Sequence, residues 1–166
     1  MKTNIILIGM PSCGKSTIGR RLAAMLGYHF IDTDDIIIQQ NGRPLRDIIR
    51  LEGLDGFRCR EEQAICSVNT ESTVIATGGS AVYSNKAMSH LQNMGTVVYL
   101  AIPFETLTRR IGDPVKRGVK MPPTMTLREL YDERTPLYES YASLTVEEAM
   151  DDTVESTAIR LMQLLK

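Results

Sequence analysis

The chain reads as an α/β protein whose parallel sheet is covered by helices on both faces. Apolar runs at 5–8, 28–31, 74–76 and 97–102, with a weaker one at 144–146, alternate with stretches of helical periodicity. Strand–helix–strand units of this kind bring their strands together in parallel, and strands covered on both faces are apolar throughout rather than at every second residue. The second observation is Gly9-Met10-Pro11-Ser12-Cys13-Gly14-Lys15-Ser16, which fills every fixed position of G-x-x-x-x-G-K-[ST] directly after Ile5-Ile6-Leu7-Ile8. A glycine-rich turn between a first strand and a first helix is the start of such a fold, and it predicts nucleoside triphosphate binding.

The elements follow in order. The run at 5–8 is the first strand, and the turn after it lets successive backbone N–H groups converge on phosphate oxygens. Gly9, Pro11, Ser12, Cys13, Gly14, Lys15, Ser16 and Thr17 are the candidate nucleotide-binding residues. Lys15 is placed to reach the β- and γ-phosphates, and Ser16 carries the short hydroxyl that suits Mg²⁺, a hard ion that prefers oxygen. A helix over 17–26 follows. The second strand, 28–31, runs into Asp32-Thr33-Asp34, whose carboxylates can cap a helix at 35–40. The segment 35–69 has helical periodicity broken at Gly42-Arg43-Pro44 and at Gly53-Leu54-Asp55-Gly56, which predicts an inserted helical lobe. The third strand closes on Ala76-Thr77-Gly78-Gly79. Ser84 is a candidate N-cap, and Thr126-Leu127-Arg128-Glu129 fits a capping box before Leu130 and Tyr131. Between the fourth strand and that box, 112–125 carries Gly112, Pro114, Gly118, Pro122 and Pro123 beside Lys116, Arg117 and Lys120. That composition excludes a helix or central strand, and in a phosphoryl-transfer enzyme it suits a lid whose cations close over phosphates.

Composition narrows the classes further. With 166 residues, 43% hydrophobic and 23% charged, the chain is long enough to bury roughly 70% of its unfolded surface in one core, so one domain over 1–166 is expected. A net charge of -1 gives no electrostatic case for nucleic acid or an anionic membrane. No run approaches the ~20 apolar residues of a membrane span, and the expectation is a cytoplasmic monomer. Cys13, Cys59 and Cys66 lack paired metal-ligand spacing and read as reduced thiols, the last two as packing residues. His29 and His90 stand apart, which argues against a zinc site.

Four signatures accompany the phosphate loop: Asp32-Thr33-Asp34, Gly56-Phe57-Arg58, Ala76-Thr77-Gly78-Gly79, and Glu133-Arg134-Thr135-Pro136-Leu137-Tyr138. In this order and over nearly the whole chain, they resemble the shikimate kinases. The resemblance implies a P-loop kinase-like three-layer α/β/α fold with a five-stranded parallel sheet, a substrate lobe and a lid. It also implies that MgATP phosphorylates the 3-hydroxyl of shikimate in aromatic amino-acid biosynthesis. It assigns Asp32 to Mg²⁺ with Ser16, and Asp34 to the substrate hydroxyls as positioning group or base. Arg58 and Arg134 fall at the substrate-carboxylate positions, where a planar guanidinium can donate two parallel hydrogen bonds. Gly78 and Gly79 bring bare backbone to the substrate, Arg117 is the lid arginine near the transferring phosphate, and Arg110 stacks over adenine. Lys15, Asp34 and Arg117 are thus the candidate catalytic residues.

Two departures fall on the substrate side. The family has Gly-Gly-Gly after its third strand where this chain has Ser80 third, adding a side chain expected beside the ring. It has Arg-Pro-Leu-Leu in the lid where this chain continues Arg117-Gly118-Val119-Lys120. They leave open a sister kinase of another small hydroxylated acid such as homoserine. A nucleotide-dependent switch and a nucleoside monophosphate kinase are the remaining alternatives, the first opposed by retention of Lys15, Ser16, Asp32, Asp34 and Arg117.

Overall fold

The structure, a computed structural model, describes residues 3–166. Five strands form one sheet: β1 (Asn4–Ile8), β2 (His29–Asp32), β3 (Thr73–Ala76), β4 (Gly95–Ala101) and β5 (Leu144–Glu147). Their order is β2-β3-β1-β4-β5 and every pair is parallel, with Ile6 of β1 beside Ile75 on one side and Val97 on the other. The chain leaves β1 for the far edge at β2, returns through β3, and only then crosses to β4. Ligand crevices in open parallel sheets form where the connections diverge, here beyond the carboxyl ends of β1 and β3.

The helices are α1 (Lys15–Leu26), α2 (Thr33–Asn41), α3 (Leu45–Cys66), α4 (Asn85–Met94), α5 (Phe104–Ile111), α6 (Pro114–Arg117), α7 (Leu127–Tyr141) and α8 (Val154–Leu164). α1 packs on α8, α3 on α4, and α5 on α7. Ile6, Leu7, Ile8, Ile75, Val97, Val98 and Leu100 are fully buried between these layers, and Tyr99 of β4 stacks on Tyr138 of α7 at 5.1 Å between ring centroids. Burial on both faces is what makes these strands continuous apolar runs. A smaller cluster, Ile37, Ile48, Phe57 and Ala64, sits between α2 and α3.

Several boundaries depart from the sequence expectations for identifiable reasons. α2 begins at Thr33 rather than 35, because Asp32 is itself the cap and its side chain accepts from the Asp34 N–H. The break at 53–56 is a kink inside α3, where Gly53 has φ 73° and ψ -178°. The segment 112–125 does contain one helical turn, α6. Pro114 stands at its start, where a missing N–H costs nothing, the Asp113 side chain accepts from Val115 N, and Gly118 at φ 73° ends it. Cys59 is exposed and Cys66 half-buried, so neither is the core filler expected. The caps at Ser84 and the box at Thr126–Glu129 form as expected.

Candidate active site

The phosphate loop is shaped by close contacts that only a bare backbone permits. At Gly9, φ is 149°, and a methyl there would fall 2.8 Å from Leu100 O and 3.0 Å from Cys13 Sγ. Cys13 is fully buried beneath the loop, so its side chain packs and only its backbone can meet a ligand. Lys15, at 7% exposure, donates from Nζ to Gly9 O at 2.8 Å and Met10 O at 2.7 Å. The ammonium is thereby held over its own loop rather than extended into solvent. Ser16 donates to Asp32 Oδ2 at 2.6 Å while Asp32 Oδ1 caps α2. Capping and a second role are thus compatible in Asp32, because its two oxygens face different ways.

A cavity of about 920 Å³ opens from this loop and runs past the end of β3 to the segment 117–123. Pro11, Ser12, Gly14, Lys15, Ser16 and Thr17 line one end; Asp32, Asp34, Gly78 and Gly79 line its floor; Arg117 and Lys120 line its roof. Burial pushes the Asp34 carboxyl above the usual range, and the Lys120 ammonium, 3.6 Å from Oδ1, opposes that rise. A methyl on Gly78 would fall 2.6 Å from Glu61 Oε2 and 3.2 Å from Asp34 Oδ1, so two acidic groups converge on bare backbone.

Ser80 is not where it was expected. It is buried and off the cavity wall, donating its hydroxyl to Glu61 Oε1 at 2.7 Å, because the 3₁₀ turn at Ala81–Tyr83 turns the chain inward immediately after Gly79. Glu61 itself is 2% exposed, and burial raises its carboxyl above the ordinary glutamate range. Arg58 and Arg134 both lie against one ring, with guanidinium carbons 4.2 Å and 5.3 Å from the Tyr83 centroid, and neither lines the cavity. Arg134 is fully buried, donates from Nε to Tyr83 OH at 3.2 Å and from Nη2 to Lys120 O at 2.8 Å, and lies beside the Gly79 backbone. Tyr83 OH in turn donates to Glu133. Glu61 and Glu62, three and four positions beyond Arg58 on α3, accept from Ser80 and Ser84.

The other two arginines bracket the loop from outside. Arg117 donates from Nε to Ser12 Oγ at 3.1 Å. Arg110 lies 3.0 Å from Glu148 Oε2 and reaches Ser12 O, at a separate hollow of about 140 Å³ against Gly14, Thr17 and Thr153. Sequence reasoning left Glu61, Tyr83, Lys120 and Glu148 out of the site. Only Lys120 gave a usable signal, as a cation among lid residues; the others stand on helices, turns or strand ends whose proximity depends on the folded chain.

Comparison with known proteins fits this geometry. The shikimate kinase family model matches residues 11–166. Shikimate kinase 1 of Escherichia fergusonii is 38% identical over 99% of this chain and 97% of its own, and a shikimate kinase of Clostridium botulinum is 39% identical over 82% of each. Shikimate kinase from Acinetobacter baumannii, solved in complex with shikimate, superposes at a TM-score of 0.87 with 33% identity over 98% of this chain and 92% of that one. The Aquifex aeolicus enzyme does so at 0.85 with 28% identity over 98% and 96%. With a phosphate loop, an acidic floor and a cationic roof joined in one cavity, and a family match that runs through all of them, the chain belongs to the shikimate kinase family of small-molecule kinases.

Proposed function

We propose that the protein transfers the γ-phosphoryl group of ATP to the 3-hydroxyl of shikimate, giving shikimate 3-phosphate and ADP. The observation that carries this reading is the single cavity in which Lys15 and Ser16 face Asp34 and the Gly78-Gly79 backbone under Arg117. Donor and acceptor can meet there with water displaced, which matters because phosphoryl transfer depends mainly on alignment and charge neutralisation.

The residues divide the work. The loop N–H groups and the start of α1 hold the phosphates. Ser16 and Asp32, already 2.6 Å apart, are two hard oxygen donors in the number typical of a Mg²⁺ site completed by water and phosphate oxygens. When bound there, the ion supplies positive charge to the phosphates. Lys15 and Arg117 supply the protein's own cations at the transferring group. Asp34 orients the acceptor hydroxyl and takes its proton as the oxygen–phosphorus bond forms, and its partly buried carboxyl is a stronger base than a fully solvated one. Arg58 and Arg134, aligned by Tyr83, hold the acceptor carboxylate. Arg110 and the hollow beside Glu148 receive the adenine.

Because Ser80 is turned onto Glu61, its hydroxyl does not occupy the acceptor space, which removes one of the two grounds for a smaller acceptor such as homoserine. No helix among the described residues is long and apolar enough to cross a membrane, and a cytoplasmic monomer without nucleic-acid partners fits the near-neutral charge. The test is steady-state turnover of MgATP with shikimate, quinate, homoserine and nucleoside monophosphates. Shikimate is expected to lead with kcat/KM above ~10⁴ M⁻¹s⁻¹. A clear preference for another acceptor would overturn the reading.

A further inference from the structure

Lys120 stands where the resemblance expects an apolar lid residue, and its surroundings are built. Its side chain is 14% exposed although it belongs to a surface segment. The ammonium lies 3.6 Å from Asp34 Oδ1 and 4.4 Å from the centroid of Phe57, the aromatic residue buried between α2 and α3. It is also 3.7 Å from where a methyl on Gly78 would sit, next to Glu61 Oε2, which has no hydrogen-bond partner among the described residues. The same residue's carbonyl accepts from Arg134 Nη2 at 2.8 Å. One lid residue therefore touches both ends of the acceptor site: the hydroxyl end through its side chain and the carboxylate end through its backbone.

A lysine chosen only to keep a connector solvated would point outward with its charge in water. Holding the ammonium inside is favourable here because the Asp34 carboxylate and a ring face contact it, and the Glu61 carboxylate acts on it through space. Charge pairs of this kind are strengthened where water is excluded, and a cation over an aromatic face adds to them. Lys120 opposes the burial-driven rise of both Asp34 and Glu61, alongside Lys15 for Asp34 and Arg134 for Glu61; Asp32 acts on Asp34 in the other direction.

We propose that Lys120 is a further acceptor-site residue of this enzyme, one that latches the lid onto Asp34 and the Phe57 ring and presents its ammonium to an acceptor hydroxyl. The proposal rests on the shikimate-phosphorylating reading for its ligand, while the latch itself exists in the free protein. A charge at this point adds acceptor specificity, because an ammonium flanked by carboxylates favours an acceptor with hydroxyl oxygens and disfavours one presenting methylenes.

Two measurements on Lys120→Met, which keeps the length of the side chain and removes the charge, decide the matter. In turnover with shikimate and MgATP, the acceptor KM is expected to rise ~10-fold or more while the ATP KM stays within about twofold, and Lys120→Arg is expected to recover most of the loss. In the ligand-free protein, amide hydrogen exchange over 113–121 is expected to quicken ~10-fold in Lys120→Met with the exchange of β1, β3 and β4 unchanged. An unchanged acceptor KM, or equal increases in both KM values, would overturn the acceptor role. Unchanged lid exchange would overturn the latch. If the native protein fails to turn over shikimate at all, the functional reading fails, and the exchange measurement still decides the latch on the free protein.

Discussion

Single residues here are defined by where their charge is held. Lys15 Nζ sits on two loop carbonyls at 2.7 and 2.8 Å, so a cation is held in place on the cavity wall, where the proposed transfer needs one. Removing such a group costs about 10²–10³-fold in comparable sites, and Lys15 carries a full charge, so Lys15→Ala is expected to lower kcat more than ~10³-fold with an unchanged circular dichroism spectrum. Turnover near the native rate would remove the phosphate-loop mechanism. Ser80 teaches a different lesson. Its hydroxyl is a donor to Glu61, a carboxylate that is 2% exposed. Ser80→Ala leaves that oxygen buried without its partner, and a stability loss of ~1–3 kcal/mol is expected in chemical denaturation. A loss below ~0.5 kcal/mol would show that the bond contributes little.

At the scale of elements, the lobe is governed by how α3 bends. Gly53 combines φ 73° with ψ -178°, a region reached in practice by glycine alone, and a methyl there would meet nothing within 4 Å. Backbone strain is then the whole effect of Gly53→Ala, and a destabilisation of ~1–3 kcal/mol is expected. Because the kink sets the direction of the helix carrying Phe57, Arg58 and Glu61, the acceptor KM should rise with it while the ATP KM holds. A fully native stability and acceptor KM in this variant would show that α3 tolerates a straight course. The lid is the opposite kind of element: α6 has one turn and no buried residue, and its place is set by Arg117 on Ser12 and Lys120 on Asp34.

For the molecule as a whole, nucleotide binding and folding are one linked equilibrium, since the cradle for phosphates exists only when β1, α1 and the end of β2 are assembled. A ligand at 100 times its Kd stabilises the native state by ~2.7 kcal/mol, which corresponds to about 5–10 °C in Tm for a chain of this size. MgADP is expected to produce a rise of that order in a thermal melt, and shikimate a further rise once MgADP is present. No shift with MgADP at any concentration would exclude the cavity as a nucleotide site.

The local half of this protein was legible from residue order alone. Strand runs, the phosphate loop, the caps at Ser84 and Thr126 and the placement of Asp32 and Asp34 depend on spacing and on contacts a few residues long. The ranges at 5–8 and 74–76 matched strands because burial on both faces leaves an unbroken apolar signature. What tertiary structure decided is which distant groups share a space. Ser80 reaches Glu61 across 19 positions, Arg134 reaches Tyr83 across 51, and Lys120 reaches Asp34 from the lid. No periodicity encodes those meetings, because each depends on the stacking order of parallel strands and on one inward turn after Gly79. The sequence therefore determined that a glycine-rich loop opening a helix would follow β1, and the folded chain determined which charges line the cavity beside it.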